Sequence, residues 1–239
     1  MSPNRYNLFI KNKISPFKKN INVDSDKSIS IRSFLISSIS QNISSVQNAL
    51  MSDDVKSTIK CLRELGVKIL KQKDNSFLIY GKGLGSLCAK KNSSLNFGNS
   101  GTLARLLIGI LSTTPNIHVK VRGDHSLNKR SMKKLIYLMS KFGASFYPKN
   151  KFKFPLKIVS TSMPIGINYN SGVSAQLKSA VILAALNSFG NTEIYEKEES
   201  RNHTENMLLK NFQTIKIVKN KKKIIKVFGK KYLNPINIK

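Results

Sequence analysis

Three stretches of this chain begin alike, and their repetition limits the possible fold more than any other feature. Asp26-Lys27-Ser28-Ile29-Ser30, Asn99-Ser100-Gly101-Thr102 and Ser174-Ala175-Gln176 each open an apolar-rich helical run from a small or polar start. With Lys27, Ser100 and Ala175 as markers, the steps are 73 and 75 residues. A strand-like stretch follows each run. Then comes a second helix with apolar residues at helical spacing, predicted over roughly 53–65, 132–142 and 203–212. The first two end at Gly66 and Gly143, where glycine suits a helix C-terminus, and the third has Gln213 there. Two strand-like runs around a polar turn complete each unit. The predicted turns are Lys73-Asp74-Asn75, Lys149-Asn150-Lys151 and Asn220-Lys221-Lys222. The unit reads strand, helix, strand, helix, strand, strand, three times over. An internal repeat of this kind is expected to build one lobe with approximate threefold symmetry. The expected class is α/β (α+β), with βαβαββ units near 21–90, 91–162 and 163–239.

The symmetry has a chemical consequence. If the first helix of each unit plays the same part, three helix N-termini converge. Each carries unpaired N–H groups and a positive dipole end, which together favour an anion. Alone, a Ser or Thr at such a start reads as an ordinary N-cap. Charge agrees with an anionic partner: 41 Lys+Arg face 12 Asp+Glu, a formal +29. The chain is also rich in Lys, Asn and Ile together, so part of that charge reads as a solvated surface. Cys61 and Cys88 lack metal or redox-pair spacing, and His118, His125 and His203 lack metal-ligand spacing. No cofactor is expected. The opening residues contain no signal-like apolar segment, and the run Ala180 to Leu186 is far too short to cross a bilayer. A soluble, cytoplasmic protein is the expectation, with no membrane partner.

Five segments carry a family resemblance. They are DKSISIR at 26–32, NFGNSGTLARLL at 96–107, RGDHSLNKRSM at 122–132, GVSAQLKSAVILAA at 172–185 and SRNHTENML at 200–208. In this order they resemble the motifs of the 5-enolpyruvylshikimate-3-phosphate synthases. The resemblance runs from about Ile21 to the end of the sequence. It implies one lobe of a two-lobed inside-out α/β barrel, with residues 1–20 belonging to the other lobe and a second, C-terminal lobe missing. The implied reaction transfers the enolpyruvyl group of phosphoenolpyruvate to the 5-hydroxyl of shikimate 3-phosphate, with phosphate released. A monomer is implied, and little or no turnover by this chain alone.

The resemblance also implies site residues. Lys27 matches a contact to both substrates, and Ser28 and Arg32 match shikimate 3-phosphate contacts. Gly101 matches the close backbone approach to phosphoenolpyruvate, shaped by Asn99 and Thr102, and Arg130 the loop arginine that grips it. Ser174, Ala175 and Gln176 match the shikimate-phosphate strip, and Ser200 and Arg201 a further phosphate contact. No catalytic acid or base is matched here; those lie in the second lobe. Arg105 reads as pairing with a neighbour, and Lys178 as facing a ligand or nothing. Asp24-Ser25, Ile31, Ser131 and Asn202 depart from the family pattern, and Asp24 adds a negative charge near the site. Three rivals stand beside this reading, one of them a regulatory or vestigial half-protein that folds but no longer catalyses. A UDP-N-acetylglucosamine enolpyruvyl transferase typically has a cysteine in the segment matching 122–132, which has none here. A basic nucleic-acid-binding protein fits the charge and the Lys219–Lys223 tract, but aromatics are only 8% and no such motif occurs, so no nucleic acid is expected.

Overall fold

The structure is a computed structural model that describes residues 7, 9, 11–13, 15–16, 18–21, 23–90, 93–209, 211, 213–219 and 223–239. The expected turn at Asn220-Lys221-Lys222 and the expected helix end at Phe212 lie outside these residues.

Three helices occupy the centre: α1 (Lys27–Ile39), α3 (Gly101–Thr113) and α6 (Ala175–Ala185). They are buried on nearly every side. From Ser30 to Ile39 every residue of α1 is buried, and α6 is buried from Lys178 onward. Such helices cannot be amphipathic, and several of their polar residues are serines that bond back to their own helix. Ser33 Oγ donates to the Ile29 carbonyl and Ser112 Oγ to the Ile108 carbonyl. The outer helices α2 (Asp53–Glu64) and α5 (Lys133–Lys141) bury one stripe instead, Val55, Ile59 and Leu62 in the first and Leu135, Ile136 and Met139 in the second. Two short helices, α4 (His125–Lys129) and α7 (His203–Leu208), complete the helical set among the described residues.

The central helices start in register. Their N-caps are Asp26, Ser100 and Ser174, spaced 74 residues apart at both steps. The repeat is therefore more regular than the 73 and 75 read from the sequence, where the markers mixed caps with first helical residues.

Three four-stranded sheets surround the helices. One contains β4 (Ser94–Asn96), β5 (His118–Arg122), β7 (Leu156–Val159) and β6 (Ser145–Tyr147), in that order. Another has β8 (Asn168–Ser171), β9 (Asn191–Glu196), β11 (Lys223–Phe228) and β10 (Ile215–Lys219). In both, the first pair is parallel and spanned by a central helix, and the rest is antiparallel. A parallel pair needs such a crossover, and the later pairs need only a hairpin. Burial alternates along these strands, so each sheet turns one face to the helices and one to solvent.

The third sheet differs in origin. Its order is β12 (Asn237–Ile238), β1 (Ile43–Val46), β3 (Phe77–Tyr80) and β2 (Lys68–Lys71). No strand precedes α1 among the described residues. Its place beside β1 is taken by β12, paired in parallel with Ser45 opposite Asn237. The βαβαββ unit thus occurs three times, but the first copy receives its opening strand from the last residues.

Close approach of α3 and α6 depends on Gly109. A Cβ there would lie 2.5 Å from the Ala180 carbonyl oxygen and 3.1 Å from the carbonyl carbon. Both are backbone atoms, so the helices would have to separate. Gly109→Ala is expected to lower stability by about 1–3 kcal/mol, measured as a fall in the urea midpoint. An unchanged midpoint would mean that the two helices move apart without cost.

Candidate functional site

The N-terminal ends of the central helices form one region. Thr102 Oγ1 accepts a hydrogen bond from Gln176 Nε2 at 3.1 Å, joining the first turns of α3 and α6. Arg32 Nη2 donates to Ser179 Oγ at 3.2 Å, joining α1 and α6 a turn further in. These contacts between similar helical positions set the three helices parallel. Their caps are intact. Asp26, Ser100 and Ser174 accept from the amides of Ile29, Leu103 and Leu177 at 2.7, 3.2 and 3.4 Å. Ser174 therefore serves as a cap, whatever else it binds.

One cluster gathers around Gly101. Arg105, four residues along α3, donates through Nη1 to the Gly101 carbonyl at 3.1 Å and to Gln176 Oε1 at 2.9 Å. Arg130 stands at the C-cap of α4 and donates through Nη2 to Asn99 Oδ1 at 2.8 Å. The segment read as a loop is thus a short helix, capped by Asp124 against the Leu127 amide, and this helix delivers Arg130. A Cβ on Gly101 would meet Arg105 Nη1 at 2.8 Å and Arg130 Nη1 at 3.1 Å, so both guanidinium groups lie over the glycine. Arg105 is half-buried. Burial lowers its pKa, and the neighbouring Arg130 charge lowers it further. Neither arginine has an ion-pair partner among the described residues. A cleft of about 350 Å³ adjoins the cluster, lined by Arg105, Ser131, Lys134, Ser174 and Gln176. Cavities of about 500 and 600 Å³ lie away from these residues, and one of about 520 Å³ adjoins the cleft through Lys134, Ser174 and Leu177.

A second cluster lies on the other flank of α6. Arg32, only 3% exposed, donates through Nε to Thr204 Oγ1 at 2.8 Å and through Nη1 to the Ser28 carbonyl at 3.0 Å. With Ser179 this engages three of the five N–H bonds a guanidinium carries. The Arg32 fork, matched to a substrate contact, is thus engaged by the protein at three positions, which leaves two N–H bonds. Burial lowers the Arg32 pKa, opposed by the Glu205 charge and aided by that of Arg201. Arg201 itself is exposed, and Ser200 donates through its amide and Oγ to Glu196 Oε1, both at 2.9 Å. Lys27 has a partner as well: its Nζ is 3.1 Å from Asp54 Oδ2.

The sequence reading understated Arg105 and Lys178. Arg105 does meet a neighbour, but that neighbour is Gln176, and the contact aims the guanidinium into the site. Lys178 faces no solvent; it is fully buried against Glu196 and Glu205. A lysine inside a helix apolar on all sides requires a buried countercharge, which was a usable signal. Cys61 lies in the core, and burial pushes its thiol up to about 12, which removes it as a nucleophile. No group of three or more His, Cys, Asp or Glu placed to hold a metal occurs among the described residues.

A family model described as EPSP synthase (3-phosphoshikimate 1-carboxyvinyltransferase) matches residues 11–239. The chain belongs to the EPSP synthase family. It is 37% identical over 200 residues to the 3-phosphoshikimate 1-carboxyvinyltransferase of Syntrophomonas wolfei, covering 83% of this chain and 46% of that protein. The Bacillus velezensis protein of the same name is 40% identical over 199 residues, with the same coverage of each. The fold matches an EPSP synthase structure from Acinetobacter baumannii with a TM-score of 0.81 and 33% identity, covering 91% of this chain and 48% of that one. The chain thus spans a little under half the length of these relatives.

Glu196 gives the site region a pH signature. Burial would raise its pKa, but hydrogen bonds from Lys178, Lys223 and Ser200 outweigh it and bring the carboxyl from 4.5 to about 2. Its folded value is depressed, so its stabilisation is fully present above pH 4.5 and lost as pH falls toward 2. Urea midpoints measured across that window should fall steeply in the wild type and less steeply in Glu196→Gln. Equal slopes would mean that another carboxylate governs acid unfolding.

Proposed function

We propose that this chain forms the anion-binding lobe of an enolpyruvyl transferase that joins phosphoenolpyruvate to the 5-hydroxyl of shikimate 3-phosphate. In that reaction the hydroxyl adds to the enol carbon while the methylene carbon takes a proton. Phosphate then leaves and a proton is lost, restoring the enol ether. The observation that carries the reading is the pair Arg105 and Arg130, neither ion-paired among the described residues, set over Gly101 at the meeting of two helix N-termini. Fixed cations and amides of this kind suit an anion that must be held before charge shifts within it.

We assign phosphoenolpyruvate to Arg105, Arg130, Gly101 and Gln176, with Asn99 and Thr102 orienting them. Shikimate 3-phosphate is assigned to the strip Ser174, Ala175 and Gln176 together with Ser28, Arg32, Ser200 and Arg201. Lys27 serves between the two. Its bond to Asp54 is half-exposed, a kind of pair that contributes little, so an incoming phosphate can replace it.

Proton transfer is assigned to groups outside these 239 residues. The carboxylates around the site are already engaged: Asp26 and Asp124 cap helices, Asp54 holds Lys27, and Glu196 and Glu205 hold Lys178. The chain is therefore expected to bind but to turn over little alone. A monomer in the cytoplasm is the setting that accompanies this reading; no helix among the described residues is long and apolar enough to cross a membrane.

Calorimetric titration with shikimate 3-phosphate at physiological salt tests the reading, with shikimate and single-stranded RNA as controls. Binding should require the 3-phosphate and weaken at least tenfold in Lys27→Ala. Salt-sensitive RNA binding without phosphate-ester binding would favour a basic nucleic-acid module instead. Gly101→Ala separates the two substrates. Its new methyl meets only the flexible tips of two arginines, so the fold should survive with an unchanged urea midpoint. Phosphoenolpyruvate binding in the presence of shikimate 3-phosphate should fall about tenfold or more, because the methyl fills the space over the amide. Undiminished phosphoenolpyruvate affinity would remove Gly101 from that site.

A further inference from the structure

Lys178 sits in α6 with a side chain fully shielded from water. Its ammonium has three donors, and it has three partners. Nζ is 2.7 Å from Glu196 Oε1 at the end of β9, 2.6 Å from Glu205 Oε1 in α7, and 3.4 Å from the Ser200 carbonyl between them. Glu196 Oε1 also receives the Ser200 amide and hydroxyl, and Glu196 Oε2 lies 2.8 Å from Lys223 Nζ. Both backbone polar groups of Ser200 are thus tied to one network. A single lysine joins α6, β9, the following turn and α7.

A residue adjacent to each of these charges belongs to the second cluster. Ser179 follows Lys178, and Thr204 precedes Glu205. Thr204 Oγ1 donates to Ser179 Oγ at 2.8 Å, and both hydroxyls receive Arg32. The lysine and the arginine therefore grip the same two helices from adjacent positions, and a shift of α7 at one must be felt at the other.

Stability alone does not account for this network. A buried ion pair is often no better than apolar residues of similar volume, and α6 is apolar from Ala180 to Ala185. Glu205 Oε2 is also buried without a hydrogen-bond partner, a cost that a network serving only packing would avoid.

We propose that Lys178 is a positioning residue, which clamps the Ser200–Arg201 turn and α7 against α6 so that Ser200, Arg201 and Arg32 meet a phosphate monoester in a fixed arrangement. The ligand part of this rests on the shikimate 3-phosphate reading above.

Three variants test it: Lys178→Met, Glu205→Gln and the double variant Lys178→Met/Glu205→Gln. The single lysine variant leaves Glu205 buried without its countercharge and is at risk of unfolding. The double variant removes one charge of each sign and should fold, with Glu196 still held by Lys223. Glu205→Gln is the reference for the altered field at Arg32. The readouts are the urea midpoint, hydrogen exchange of the 200–202 amides, and calorimetric affinity for shikimate 3-phosphate and shikimate. Relative to Glu205→Gln, the double variant should keep its urea midpoint while the Ser200 amide exchanges at least tenfold faster. Its affinity for shikimate 3-phosphate should fall about tenfold, and any affinity for shikimate should not. Retained Ser200 protection overturns the proposal, as does lost protection with full phosphate-ester affinity. If the wild type itself ignores shikimate 3-phosphate, the functional reading fails, and Ser200 exchange alone still decides whether Lys178 clamps the turn.

Discussion

Parallel packing of three buried helices is the constraint from which the rest of the structure follows. Parallel neighbours place like dipole ends together, which is unfavourable at both ends unless charge or hydrogen bonds answer them. The C-terminal ends are answered by the protein itself. The amides of Lys82 and Gly83 donate to the carbonyls of Ser38 and Ser40 below α1, and the Lys230 amide donates to Leu186 below α6. Asn187 reaches across through Nδ2 to the Thr113 carbonyl at the end of α3. The N-terminal ends are answered only in part. Three side-chain caps satisfy one amide each, only that of α1 being a carboxylate, and the positive ends of α3 and α6 are joined by Arg105 and Arg130, which have no ion-pair partner among the described residues. The asymmetry between the two ends makes one a closed base and leaves the other suited to an anion.

The same packing explains the composition of the helices. A helix touched on all sides has no face for charged residues, so α1 uses serine where solubility would otherwise call for lysine. Ser30 and Ser33 each find a carbonyl one turn back, whereas Ser37 Oγ is buried without a partner. The two charges that are buried there, Arg32 and Lys178, find partners on other elements, Thr204 in α7 and Ser179 in α6 for the arginine and Glu196 in β9 and Glu205 in α7 for the lysine. Burial thus turns what would be solvated side chains into cross-links between elements.

The repeat was legible because each unit carries its own punctuation. Gly66 and Gly143 adopt φ of +85° and +105°, as expected of residues that end a helix, and Asp74 and Asn75 take the left-handed conformation in the first hairpin turn. The opening strand of the first unit was not legible. Its role falls to Asn237 and Ile238, and nothing local in two residues announces a pairing with a strand almost two hundred positions earlier. At the site, motifs marked most of the residues that meet around Gly101, but not their geometry. Arg105 gains its importance from Gln176, 71 residues away, and Arg32 from Thr204, 172 residues away. Only tertiary packing brings such pairs together.

Net charge was the most ambiguous feature of the sequence, and its distribution gives it a simpler meaning. Lysines occupy solvent-facing strand positions, such as Lys68 in β2, Lys120 in β5, Lys157 in β7 and Lys216 in β10. Two of these strands, β2 and β10, are sheet edges, where charge discourages pairing with another chain. Some lysines lie over aromatic rings, Lys68 on Tyr80 and Lys141 on Tyr137, which shelters apolar surface while the ammonium stays wet. Charge spread over three outer faces raises the positive potential everywhere and draws anions generally. It cannot select one. Selection requires cations held still in a partly dry place, and the described residues offer that beside Gly101 and along α6, where arginine, glutamine and helix amides are fixed by their neighbours before any ligand arrives.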